Sequence, residues 1–188
     1  MSCIACGPSR PTPSTSHEAL RAELRAHPRF PAQALLLGGH DAFMAISREL
    51  VSRTEAGAAV AASTVEALFR WWHRGMAGHE AYEERKLYPY LARRHGCSFE
   101  ALVDDHERMH MLRDEVLRQC DADGEGAASP ALHEALVRYD ALLGEHLRRE
   151  EAQVLPLLLE LPPDEFTRYT RASIDELLRE LPCDATRA

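Results

Sequence analysis

Two stretches of the chain carry the same histidine–glutamate pattern. His79 and Glu83 are four residues apart, as are His146 and Glu150, and each pair is followed by a second glutamate, two apolar residues and a proline. Residues four apart on an α-helix lie about 40° apart around its axis, so each imidazole projects beside its carboxylate. Imidazole and carboxylate together are ligands for iron, zinc or manganese. Taken alone, either pair has a simpler explanation as an exposed pair on a helix face.

Three more histidines extend this pattern. His40 precedes His79 by 39 residues, His106 precedes His146 by 40, and His110 lies one helical turn after His106. The midpoints between successive histidines fall near residues 59, 92 and 126, beside segments whose Gly and Pro residues favour chain reversal. A chain that reverses at these points brings the four histidine positions to one level.

These polar side chains occupy positions that neighbouring Leu, Val, Met and Trp residues mark as buried. A lone interior histidine is more often hydrogen-bonded than metal-bound, but burying the whole set without partners would cost about 1–3 kcal/mol per unsatisfied group. A metal centre compensates all of them at once. The candidate metal ligands are His40, His79, Glu83, His106, His110, His146 and Glu150.

The segments that must position these ligands show the apolar period of amphipathic helices. No stretch alternates cleanly enough for a strand, so the sequence predicts an all-α fold, an antiparallel up-down four-helix bundle with short extra helices at the N- and C-termini. The long helices are expected through residues 36–51, from about Ala58 to Arg93, from Ser98 to Cys120 and from Pro130 to about Leu159. The predicted divisions are a flexible tail compatible with one short helix (1–28), the bundle (29–161), and a C-terminal helix and tail (162–188).

The motifs His40-Asp41, His79-x-x-x-Glu83, His106-x-x-x-His110 and His146-x-x-x-Glu150 resemble the hemerythrin/HHE cation-binding domain over roughly residues 32 to 160. The resemblance implies two non-haem iron ions joined by an oxo or hydroxo bridge. It assigns His106, His110 and His146 to one ion, His40 and His79 to the other, and Glu83 and Glu150 to both. Manganese or a mixed pair is compatible with the same ligands.

One spacing departs from the oxygen-carrying hemerythrins, which place the fourth-helix carboxylate five residues after the histidine, here Glu151. The internal repeat favours Glu150, as in the wider bacterial family. The leading function is binding of dioxygen or a related small molecule in storage, sensing or detoxification. Two alternatives stay open, a diiron oxidative enzyme of the peroxidase or oxygenase type and an iron-storage or iron-sensing protein.

The remaining polar residues are expected to play lesser parts. Glu84 and Glu151 are expected to face solvent or to support a ligand, and Trp72 and Tyr139 to pack beside the site. The default expectation for the histidines that lie off the metal face or in the tails is the protein surface; these are His17, His27, His73, His95 and His133.

Composition narrows the choice of partners. The net charge is −8 and no cluster of Lys or Arg interrupts the mixed pattern, which disfavours nucleic acid and anionic membrane. No apolar run reaches the roughly 20 residues of a membrane span, and the N-terminus lacks the pattern of a secretory signal, so a cytoplasmic location is expected. The cysteine count is odd, and Cys3-x-x-Cys6 is expected to belong to a disordered tail rather than to a functional dithiol.

Overall fold

A computed structural model describes residues 16–55 and 60–181, with the side chains of 31–35 left aside. Within these ranges the chain is helical and has no strand, apart from a single antiparallel bridge between Ala61 and Ala127. The prediction of an all-α fold is confirmed for this part of the chain. The expected helix start at Ala58 and the pair Cys3 and Cys6 lie outside the described residues.

Eight α-helices and one π-helical turn make up the described structure. They are α1 His17–Ala26, α2 Phe30–Arg53, α3 Ala62–Tyr82, the π turn Glu83–Leu87, α4 Tyr88–His95, α5 Glu100–Asp123, α6 Pro130–Glu160, α7 Pro163–Arg171 and α8 Ile174–Glu180. Among the long helices, α2 contacts α3 and α6, and α5 contacts α3 and α6. The short helix α1 packs on α2 and α6, and α8 packs on α4.

Local sequence explains where several of these helices begin and end. The Ser129 hydroxyl accepts a hydrogen bond from the backbone of Leu132, and Pro130 occupies the first turn of α6, where its missing N–H costs nothing. Gly96 ends α4 in the left-handed conformation, at φ 66°, which glycine adopts without steric penalty. Ser173 and Glu176 form a capping box at the start of α8. The cap at Ser129 sets the start of α6, the helix that carries His146.

The apolar core is divided into two clusters. One contains Trp72 of α3 and Leu143 of α6, and the other contains Leu87 of the π turn and Val154 of α6. His146 and Glu150 lie between Leu143 and Val154 along α6, so a polar layer separates the two apolar clusters. Apolar packing on both sides of this layer keeps water away from it and strengthens electrostatic interactions inside it.

The second long helix differs from the expected uninterrupted one. It divides into α3, the π turn and α4, and the N–H of Tyr88 bonds to the carbonyl of Glu83, five residues back, instead of to Glu84. Pro89 has no N–H to donate, which weakens the regular hydrogen-bond ladder just after the turn. π turns insert one extra residue and are frequent at functional sites. This one begins at a candidate ligand, Glu83.

None of the helices in the described part of the chain is long and apolar enough to span a membrane.

Candidate metal centre

Two pairs of imidazoles face each other inside the polar layer. Nε2 of His40 lies 3.2 Å from Nε2 of His79, and Nε2 of His106 lies 3.2 Å from Nε2 of His146. His40, His106 and His146 are buried, and the side chain of His79 is 17% exposed. Two nitrogen atoms bound to one ion at about 2.1 Å would be separated by about 3 to 3.5 Å. Each pair therefore has the spacing of two ligands on a single ion.

The carboxylate of Glu83 joins the two pairs. Its Oε1 lies 2.6 Å from Nε2 of His79, and its Oε2 lies 3.5 Å from Nε2 of His106. Two groups of potential ligands result, each with ligand atoms within 4.8 Å of one another, and Glu83 belongs to both. The first group is His40, His79, Glu83 and Glu150; the second is Glu83, His106 and His146.

Glu150 shows most clearly that the layer contains buried polar atoms without a partner. The residue is fully buried, and among the described residues neither of its carboxylate oxygens has a hydrogen-bond partner, although Oε2 lies 3.3 Å from Nε2 of His40. Burial, reinforced by the charge of Glu83, raises the pKa of Glu150. An ionised carboxylate is rarely buried unless it is paired or binds a metal. A cation between the imidazoles would supply the missing partner, so the residues present fit a metal centre.

A second glutamate orients one imidazole of each pair. Nδ1 of His40 lies 2.9 Å from Glu151 Oε1, and Nδ1 of His106 lies 2.7 Å from Glu84 Oε1. A carboxylate only accepts hydrogen bonds, so each Nδ1 carries the hydrogen and donates it. Each Nε2 is thereby directed to the centre, as in metal sites whose histidines are held by a carboxylate.

The charges of the layer shift the pKa values of its histidines in opposite directions. Burial alone would lower the pKa of His40, but its interactions with the carboxylates of Glu150 and Glu151 raise it to about 9. Burial would likewise lower the pKa of His106, but its interactions with the carboxylates of Glu83 and Glu84 raise it to about 9. Burial and the neighbouring charge of His106 lower the pKa of His146 to about 3. The carboxylates of the layer therefore favour the protonated form of His40 and His106, whereas burial favours the neutral form of His146.

Six of the seven predicted ligands lie together in this layer, and His110 does not. Its side chain is 42% exposed, and its Nε2 lies 2.8 Å from Oε2 of Glu80 on α3. Four residues of α5, a rise of about 6 Å, separate it from His106, and Glu80 holds it at that level. The structure thus places His110 outside both groups of ligand atoms.

Three residues near the centre were not anticipated from the sequence. Glu80 is buried next to the candidate ligand His79, and His73 is also buried, so the expectation that His73 lies on the surface is wrong. His17 of α1 donates to Glu151 at 2.7 Å. Its one sequence signal is the spacing of four residues to Arg21, which lies 3.3 Å from the same carboxylate. Contacts between segments far apart in the chain leave no periodic pattern in the sequence.

Trp72 and Tyr139 are both buried, as expected for residues that pack beside the site. Their rings meet edge to face with centroids 5.5 Å apart. The Tyr139 hydroxyl contacts the sulfur of Met76 at 3.6 Å. Both residues belong to the apolar cluster that also contains Leu143.

Comparison with known proteins gives one finding that bears on this site. The family model described as the hemerythrin HHE cation binding domain matches residues 32–158, which include every residue of the polar layer. Searches of curated proteins and of solved structures gave no match to the chain.

Proposed function

The chain belongs to the hemerythrin HHE cation-binding family, a family whose His/carboxylate sites bind metal ions, typically iron, and we propose that it is a non-haem diiron protein that binds dioxygen or a related small molecule. The observation that carries this proposal is Glu83, whose two oxygens face different imidazole pairs. A carboxylate in this position supports two ions rather than one.

The proposed architecture is an antiparallel four-helix bundle formed by α2, α3 with α4, α5 and α6. The contacts of α2 and α5 with both α3 and α6 support this arrangement. We assign His40, His79, Glu83 and Glu150 to one ion, and Glu83, His106 and His146 to the other. Glu151 and Glu84 hold His40 and His106 in the orientation that presents Nε2.

The two ions receive unequal numbers of protein donors in this assignment. With His110 turned to Glu80, the group around His106 and His146 offers three residues, whereas the group around His40 offers four. Fewer protein donors leave more positions for a small molecule, so we assign the binding position to the side of His106 and His146. Two ferrous ions would supply the electrons for reversible dioxygen binding. The residues of the chain exclude water and hold compensating charge around them.

Metal analysis and one spectroscopic experiment test the proposal together. Protein produced with iron should hold about two irons per chain, and the anaerobic ferrous form should develop a visible absorption band in air that disappears under vacuum. Rapid irreversible oxidation would instead favour the enzymatic or iron-handling alternatives. Persistent binding of a single zinc ion without iron would contradict the dinuclear assignment.

A further inference from the structure

The short helix α1 reaches the proposed diiron centre from outside the part of the chain that matches the family. The family model covers residues 32–158, whereas α1 spans His17–Ala26. His17, Arg21 and Leu24 follow one another at intervals of four and three residues, so they lie on one face of α1. Leu24 is buried in the apolar core, and α1 contacts α6 and α2. The polar residues of the same face therefore point towards the helices that carry metal ligands.

Two side chains of α1 contact the same buried carboxylate, that of Glu151 on α6. Nε2 of His17 lies 2.7 Å from Oε2 of Glu151, and Nε of Arg21 lies 3.3 Å from the same oxygen. The other oxygen, Oε1, accepts the hydrogen of His40 Nδ1 at 2.9 Å. The side chain of Glu151 is only 2% exposed, so these three partners rather than water fix its direction. A continuous line of contacts runs from α1 through Glu151 to the candidate ligand His40.

Arg21 also connects α1 to the helix that carries His40. Its Nη2 lies 2.9 Å from Oδ1 of Asp41, the residue directly after His40. The guanidinium thus lies between a carboxylate of α2 and a carboxylate of α6. A planar guanidinium presents its donors in fixed directions, so its contact with two carboxylates restrains both of them. Arg21 therefore restrains α2 against α6 beside His40.

The equivalent glutamate of the other histidine pair has no comparable support. Oε1 of Glu84 lies 2.7 Å from Nδ1 of His106, and the side chain of Glu84 is 39% exposed. In the part of the chain that the structure describes, no arginine and no second histidine pairs with Glu84. A carboxylate open to water can exchange its partner for solvent, so it holds an imidazole less firmly than a buried one. The two histidine pairs thus differ in how firmly their orienting carboxylates are held.

We propose that His17 and Arg21 are positioning residues of the diiron centre, which act through Glu151 to hold His40 on its metal ion and to slow the release of that ion. The inference rests on the proposed function, because it requires two bound ions. Groups that orient a metal-bound histidine typically change metal affinity by about 10–100-fold. The ion on the side of His40 should therefore leave more slowly than the ion on the side of His106.

Removal of iron by an excess of chelator tests this proposal in the full iron-loaded chain. The wild-type protein should lose its iron in a fast and a slow phase. His17→Ala and Arg21→Met should each accelerate the slow phase about tenfold and leave the fast phase unchanged. Arg25→Met is the matched control, because Arg25 lies on the same helix but contacts Asp41, at 3.3 Å, instead of Glu151. The control should release iron like the wild type.

The reduction potential of the iron centre gives a second readout, which a change in packing alone would not move in a fixed direction. Arg21 places a positive charge beside Glu151, and removal of this charge favours the more positive, oxidised centre. Arg21→Met should therefore shift the potential to a more negative value. Arg25→Met should shift it less, because the side chain of Arg25 is 51% exposed and solvent screens its charge. An unchanged or more positive potential in Arg21→Met would contradict the proposal.

Three results of the chelation experiment would overturn the proposal: a slow phase that is unchanged in either His17→Ala or Arg21→Met, equal acceleration of both phases, or the same acceleration by Arg25→Met. The last two would mean that α1 only shields the centre as a whole. Failure of the proposed function is seen separately, as an iron-loaded protein without a reversible visible band, and its iron release still measures the role of α1. A wild-type protein that holds no iron contradicts both proposals.

Discussion

The two halves of the internal repeat, residues 79–91 and 146–158, contain the same pattern but differ in backbone and surroundings. In the first half the helix opens into the π turn at Glu83, and its second glutamate, Glu84, has a side chain that is 39% exposed. In the second half α6 continues without interruption through Pro156, and the side chain of Glu151 is 2% exposed. Matching residues therefore meet different environments.

The difference shows that a proline in the pattern does not by itself reshape the helix. Pro89 and Pro156 occupy equivalent positions of the repeat, yet only the first follows a π turn. The environment of Glu151 has a visible cause, because His17 and Arg21 of α1 cover it. Within residues 16–55 and 60–181, no helix covers Glu84 in this way. Tertiary contacts, rather than the repeated motif, distinguish the two halves.

Substitution of the two candidate bridging carboxylates, Glu83 and Glu150, should give the largest difference between the two halves of the repeat. Glu83 belongs to both groups of ligand atoms and Glu150 to one. We expect Glu83→Ala to lower the iron content from about two per chain to below one, and Glu150→Ala to leave about one, because metal binding depends on the shared carboxylate. Metal analysis of both purified variants measures this. Equal iron content in the two variants would remove the distinction between the halves.

The second glutamates should differ in their effect on stability. Glu151→Ala leaves His40, His17 and Arg21 without their buried partner, and should lower the free energy of unfolding of the metal-free protein by about 2–3 kcal/mol. Glu84→Ala, at a more exposed site, should lower the free energy of unfolding by less than about 1 kcal/mol. Urea denaturation of both variants gives the comparison. Both should retain iron, and loss of iron from Glu151→Ala alone would favour the spacing of the oxygen carriers.

The number of protons released on metal binding tests His40 and His106, the two histidines whose Nδ1 donates to a glutamate. His40 and His106 have pKa values near 9 in the metal-free protein and are protonated at pH 7. Metal binding at pH 7 should therefore release about two protons per chain, fewer as the pH rises through 9. Calorimetry in buffers with different ionisation enthalpies measures the number. Glu151→Ala should decrease the release from His40 and leave that from His106, whereas unchanged release would contradict the role of Glu151.

The same pKa shifts predict how the stability of the metal-free fold changes with pH. Both pKa values are raised above 6.5, so these histidines stabilise the fold fully below about pH 6.5 and cease to do so as the pH rises through 9. His146 has a lowered pKa of about 3, so its contribution is present above about pH 6.5 and is lost as the pH falls through 3. Thermal unfolding across this range should follow both trends.

Tyr88 should give the smallest effect. Its hydroxyl donates to Glu83 Oε2 at a long 3.4 Å, while the equivalent residue of the second half, Leu155, has no polar group. Tyr88→Phe should lower stability by less than about 1 kcal/mol and should retain iron, because the weak bond supports a carboxylate already held by two histidines. Thermal unfolding and metal analysis measure this, with Tyr90→Phe as a control away from Glu83. A large loss of iron would make Tyr88 essential for holding the bridge.

Much of the prediction from the sequence was based on helical periodicity. Residues four apart share a face on any α-helix, so His79 with Glu83 and His146 with Glu150 could be placed before the structure was known. The nearly equal spacings from His40 to His79 and from His106 to His146 predicted that these positions meet, and the structure brings them within hydrogen-bonding distance in pairs. The family resemblance is confirmed by the family model.

The sequence by itself determined the helical class and the identity of the polar layer, because both depend on the regular repeat of a helix and on the cost of burying unpaired polar groups. Only the tertiary structure decided between neighbours that periodicity treats alike. It turned His110 to Glu80, buried Glu151 beneath α1 and opened a π turn at Glu83. The positions of His110 and Glu151 depend on contacts between segments far apart in the chain, which a local periodic pattern does not specify.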